Sequence, residues 1–111
     1  MMQLENMRKL ESKMNKNISK MIEYPEEGIL SKEIIKNEKT EATLFCMAKN
    51  TEISEHTSTK EGFVYVMGGK GDFNLEGKNI EMVPGVFIYM KKNARHSLRA
   101  EENTSFLLVL F

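Results

Sequence analysis

Apolar residues at Leu4, Met7, Leu10, Met14, Ile18 and Met21 recur at steps of three and four, with Glu, Lys and Asn between them. That is the period of an amphipathic helix with one apolar stripe, and no proline or glycine interrupts it before Pro25. The pattern predicts an N-terminal helical arm over residues 1–21. Methionines at positions 1, 2, 7, 14 and 21 suit such an arm, because a flexible thioether fits an irregular partner surface. The expected partner is the main domain or a second subunit.

After Tyr24-Pro25-Glu26-Glu27-Gly28 the period becomes extended. Strands are predicted at Ile29–Ile35, Ala42–Ala48, Glu52–His56, Gly62–Met67, Asp72–Leu75, Ile80–Val83, Val86–Met90, His96–Ala100 and Phe106–Phe111. These segments are rich in β-branched and aromatic residues, and turn-forming clusters separate them. Gly68-Gly69-Lys70-Gly71 and Glu76-Gly77-Lys78-Asn79 read as tight hairpin connections, and Pro84-Gly85 as a further turn. Short strands with no helical stretch between them predict an all-β domain over residues 22–111, an antiparallel sandwich or barrel.

Composition narrows the functional classes. A chain of 111 residues is one domain of ordinary size. Its 16 Lys+Arg balance 16 Asp+Glu, so no surplus of positive charge is available to coat nucleic acid or an anionic membrane. The single cysteine, Cys46, sits in an apolar run and reads as a core residue, and it can form no internal disulfide. No apolar run approaches the length of a membrane span, and the first residues are too polar for a signal peptide. The expectation is a cytoplasmic protein with neither a nucleic-acid nor a membrane partner. Gly68–Gly71 lacks the Lys-Ser/Thr pair and following helix of a phosphate-cradling loop.

The candidate chemistry centres on the only two histidines, His56 and His96. Each falls at a strand end beside a loop. Glu61 follows His56 after a short turn, which can place an imidazole and a carboxylate on neighbouring strands facing one interior, with His96 closing the site.

These residues carry a family resemblance. ISEHTSTKEGFVYVMGGKGDF followed by VPGVFIYMKKNARHSLRA resembles the two motifs of the cupin superfamily of small β-barrels. His56, Glu61 and Gly68 match the second histidine, the glutamate and the closing glycine of the first motif, with four and six residues between them. Gly85 and His96 match the opening glycine and the histidine of the second, with ten residues between them. Ser54 stands where the first motif histidine is expected. Lys91, Asn93 and Ala100 replace the proline, glycine and final asparagine of the second motif.

The resemblance implies a double-stranded β-helix, or jelly-roll, barrel over roughly residues 29–111. It also implies a metal site of His56, Glu61 and His96. Two imidazoles and a carboxylate form the facial triad that holds a divalent ion, here Fe, Mn, Ni, Co or Zn. A metal-free barrel is the alternative. Ser54, two residues from His56, is expected to share its strand face and to contact substrate. Tyr65 shares parity with Glu61 and is expected to line the pocket. Lys91 and Lys92, near the barrel mouth, are expected to attract an anionic small molecule. Three functions stay open: a metal-dependent enzyme of dioxygenase or isomerase type, a non-catalytic module that binds or senses a small molecule, and a structural role. A homodimer is expected, with Val64 and Val66 as outward residues on its face.

Overall fold

The computed structural model describes residues 15–111. Most of the predicted arm, residues 1–14, lies outside them. The described remainder is corrected from a helix to one 3-10 turn, Ile18–Met21, whose start is capped by the Asn17 side chain accepting from the Lys20 amide.

Nine strands follow among the described residues, all where the period-two pattern places them: β1 (Ile29–Lys36), β2 (Glu41–Met47), β3 (Glu52–His56), β4 (Gly62–Gly68), β5 (Gly71–Leu75), β6 (Lys78–Met82), β7 (Phe87–Met90), β8 (His96–Ala100) and β9 (Thr104–Leu110). They form two antiparallel sheets, in the orders β1-β2-β9-β4-β7 and β3-β8-β5-β6. Consecutive strands repeatedly change sheets, which gives the two-layered roll of strands.

The apolar interior lies between the sheets. Val66, Phe106, Met47 and Ile88 enter it from one layer, and Phe73, Met82 and Leu98 from the other. Phe45 stacks on Phe106 at 5.2 Å between ring centroids. Burying the Phe106 ring stabilises the fold by roughly 1.5–3 kcal/mol, and the partly buried Phe45 ring by less. On the opposite face of β2, Ala42, Leu44 and Cys46 are also buried. Cys46 pairs with Ser105, whose hydroxyl is 2.9 Å from Tyr24 Oη, so the segment before β1 lies over that outer face. The Lys32 ammonium fastens the same segment through the Met21 carbonyl at 2.8 Å and Glu23 at 3.0 Å.

Strand parity in β4 is the reverse of the expectation. Val64 and Val66 are 1% and 0% exposed, whereas Tyr65 is 43% exposed and turned outward. Val64 lies between Leu108 and Ile88 in the core, and that pairing sets the face. A partner subunit laid on the outer face would therefore meet Tyr65 and Phe87, not the two valines.

Two turns have specific chemistry. Glu76 and Gly77 both have positive φ (50° and 82°) between Leu75 and Lys78, giving the two-residue hairpin expected of β5–β6. Gly68–Gly71, by contrast, is not a hairpin: it carries the chain from one sheet to the other. There Gly69 has φ +89°, and a Cβ on it would strike the Asn103 carbonyl oxygen and come within 2.6 Å of Thr104 Cα.

Candidate functional site

The site is built on the pairing of β3 with β8. Glu52 faces Arg99 and Ile53 faces Leu98, but the next pair is His56 with His96. Two residues of β3, Ser54 and Glu55, thus oppose Ser97 alone, which is a β-bulge. The bulge leaves Ile53 and His56 on the interior face although they are three positions apart. It also puts Ser54 on the outer surface, where it lines an open polar groove with Glu52, Asp72, Asn74 and Arg99. The expectation that Ser54 accompanies His56 is corrected by this one extra residue.

The two imidazoles meet. Their ring centroids lie 4.1 Å apart at 63°, an edge-on contact, and the His96 ring stacks on Phe73 at 5.8 Å and 5°. Each ring is oriented by its own strand: His56 Nδ1 is 2.8 Å from the Ser54 carbonyl oxygen and His96 Nδ1 is 3.0 Å from that of Ala94. A carbonyl oxygen only accepts, so both Nδ1 atoms carry the proton, and a neutral ring offers its Nε2 lone pair to a partner. His56 is exposed, while His96 is only 6% exposed. Burial pushes the His96 pKa below the usual imidazole value; the Ala94 carbonyl opposes that shift, and the neighbouring His56 adds to it.

Both rings line a cavity of about 150 Å³ whose other walls are apolar, among them Phe45, Ile53, Phe73, Met90 and Leu108. This is the volume of a pocket that accepts a single aromatic ring.

Glu61 is not in this cavity. It immediately precedes β4, and its Oε2 accepts a hydrogen bond from Tyr89 Oη at 2.8 Å, which raises the tyrosine pKa above its ordinary value. Gly62, the next residue, is buried, and a Cβ there would strike the Val109 carbonyl oxygen. No carboxylate thus enters the site from this strand end. Among the described residues no three His, Cys, Asp or Glu side chains come together in a way that could hold a metal ion. The expected triad is corrected to a pair: the residues present offer two imidazoles and do not complete a three-ligand centre.

Lys91 and Lys92 are exposed and lie outside the histidine cavity. With Leu75, Glu76, Lys78 and Tyr89 they line a separate open groove of about 570 Å³. Tyr65 contributes to neither. The pocket walls Phe45, Phe73 and Met90 were missed by sequence reasoning, although alternation within each strand, which puts Phe45 on the face of Met47, Phe73 on that of Leu75 and Met90 on that of Ile88, is the signal that could have found them. The two orienting carbonyls belong to the backbone and leave no side-chain signature.

Comparison with known proteins agrees with this architecture. The cupin domain family model matches residues 43–111. The chain is a cupin. No curated protein matches its sequence. Among solved structures, this cupin is similar to a conserved protein of unknown function from Streptococcus pyogenes, at TM-score 0.79 and 22% identity over 86% of this chain and 84% of the other. It is also similar to a cupin 2 conserved barrel domain protein from Leptotrichia buccalis, at TM-score 0.80 and 27% identity, covering 86% of this chain but only 46% of that one. A mutant salicylate 1,2-dioxygenase from Pseudoaminobacter salicylatoxidans has a TM-score of 0.70 at 13% identity, over 75% of this cupin and 26% of the dioxygenase. That likeness is one of fold. No helix among the described residues is long and apolar enough to cross a membrane.

Proposed function

We propose that this cupin is a non-catalytic module that binds a compact, largely apolar molecule bearing one hydroxyl, a phenol or an enol. The observation that carries the reading is the pair of Nδ1-anchored imidazoles lining an apolar cavity of about 150 Å³. Neutral rings anchored in this way accept at Nε2, so the complementary ligand donates an O–H there and buries its ring against Phe73 and the aliphatic walls. Phenol is the direct probe, and toluene is its isostere without the donor. In protein freed of metal by a chelator, phenol should raise the melting temperature in proportion to occupancy and toluene should do so less. His96→Ala should abolish the difference. Equal effects of both probes, or none, would refute the reading.

A second reading is a metal-dependent enzyme of dioxygenase or isomerase type acting on a small polar or anionic molecule. One feature favours it: histidines that ligate metals through Nε2 commonly donate Nδ1–H to a carbonyl. His56 and His96 would hold such an ion, Fe, Mn, Ni, Co or Zn, which would act as a Lewis acid. The remaining ligands would have to come from water or substrate. Equilibrium dialysis separates the readings: stoichiometric metal retained by the wild type and lost in both His56→Ala and His96→Ala supports the second. Assembly as a homodimer is also our proposal, tested by light scattering.

A further inference from the structure

We propose that the lysine-lined groove beside the histidine cavity is a binding site for a phosphate monoester. The hairpin end of β5–β6 contributes Leu75, Glu76 and Lys78, and the β7–β8 loop contributes Lys91, Lys92 and Asn93. Three lysines thus line one groove in a chain whose overall charge balances.

The only carboxylate in the lining is already spent. Glu76 Oε1 accepts from the Arg95 amide at 2.8 Å, and its Oε2 accepts from the Arg95 guanidinium at 3.3 and 3.2 Å. Those bonds hold its pKa below the ordinary carboxylate value, so it stays ionised and paired. None of Lys78, Lys91 and Lys92 has an ion-pair partner among the described residues.

The loop that carries two of the lysines has a defined shape. Asn93 takes a left-handed backbone (φ 64°), its amide donates to the Ser58 carbonyl at 2.7 Å, and the Ala94 amide closes the turn on the Lys91 carbonyl at 3.2 Å. An ammonium is a compact point charge with three donors and no fork, so a cluster of lysines suits the tetrahedral, doubly charged phosphate better than a planar carboxylate. The groove of about 570 Å³ leaves room for the rest of a small molecule, and Leu75 gives it an apolar surface. Leu75 pairs with His96, and Ala94 provides the carbonyl that orients His96, so the groove adjoins the histidine cavity without sharing its walls. The proposal does not depend on what the cavity binds.

Amide chemical-shift titration of the whole chain with inorganic phosphate, then phenyl phosphate, at low salt tests it. The expected result is saturable shifts confined to residues 75–78 and 91–94, with phenyl phosphate binding more tightly than phosphate. Lys91→Gln/Lys92→Gln should weaken both by about tenfold, and Lys49→Gln, an exposed lysine elsewhere, should not. Shifts spread over all lysines, an unaffected double variant, or citrate binding as tightly as phenyl phosphate would overturn the proposal. Loss of phenol binding in the cavity would leave it standing.

Discussion

Tyr89 donates its phenolic hydrogen to Glu61 across the outer side of β4 and β7, with Oη and Oε2 2.8 Å apart. The bond takes the one carboxylate of the cupin motif away from the histidines and gives it a partner on the surface. Glu61→Gln should therefore leave phenol affinity and metal retention unchanged. Its effect belongs on Tyr89, whose pKa is raised in the wild type and should fall only part of the way back in this variant, because the Gln oxygen still accepts the bond and only the negative charge is lost. Ultraviolet titration of phenolate reads this directly. A fall in metal retention with no change in the tyrosine titration would mean that Glu61 turns inward.

Ser54 gives a sharper test of the bulge. Cupin motifs invite the idea that Ser54→His restores a missing ligand. On the structure, position 54 points to the outer groove beside Asp72 and Arg99, so the new imidazole cannot join His56 and His96. Zinc affinity, measured by competition with a chromophoric chelator, should change by less than about threefold, and stability by about 0.5 kcal/mol or less, as for an ordinary surface substitution. A gain of a hundredfold or more would require a regular strand and a third inward ligand.

The pairing of the histidines was legible because β3 and β8 begin and end where period two and turn chemistry place them. The side on which neighbouring residues fall was not. In Gly62–Gly68 both faces are apolar, Val64 and Val66 on one and Phe63 and Tyr65 on the other, so alternation carries no sign. Only the cross-strand partners Leu108 and Ile88 decide it, and those are set by tertiary register. A bulge is similarly silent, since Ser54 and Glu55 are ordinary strand-surface residues whether one or both face outward. The Lys91–Asn93 turn was legible as a basic loop, but its groove depends on Lys78 and Glu76, which come from a different hairpin.

The two tight glycine positions should differ in cost. Gly77 has φ +82° with open space where a Cβ would stand, so Gly77→Ala should lose about 1–2 kcal/mol, the strain of a left-handed backbone. Gly69→Ala meets the same strain and also drives its methyl into Asn103 and Thr104, in a crossing that also carries the Thr104 hydroxyl bond to Lys70. A loss of about 3 kcal/mol or more is expected there. Urea midpoints of the two variants measure the difference; equal losses would mean that the crossing yields.

The buried histidine makes stability depend on pH with a definite sign. Desolvation lowers the His96 pKa in the folded state, whereas in the unfolded chain it returns to about 6.5. Between the two values the unfolded state binds the extra proton, so folding stability rises with pH there. The contribution is fully present above the unfolded pKa and is lost as pH falls through 6.5 towards the folded pKa. Chelator-treated wild type should therefore unfold at lower urea at pH 5.5 than at pH 7.5. His96→Gln lacks the titrating group and should flatten that difference, while remaining less stable than wild type at pH 7.5 because it loses the stack on Phe73. A ligand that needs the Nε2 lone pair should keep its affinity within that interval, where native His96 is still neutral, and weaken only as pH falls through the folded pKa, because protonation turns the acceptor into a donor. If phenol affinity stayed unchanged as pH fell below the folded pKa of His96, located by titrating the ring in the native protein, a neutral His96 acceptor could not be what holds it.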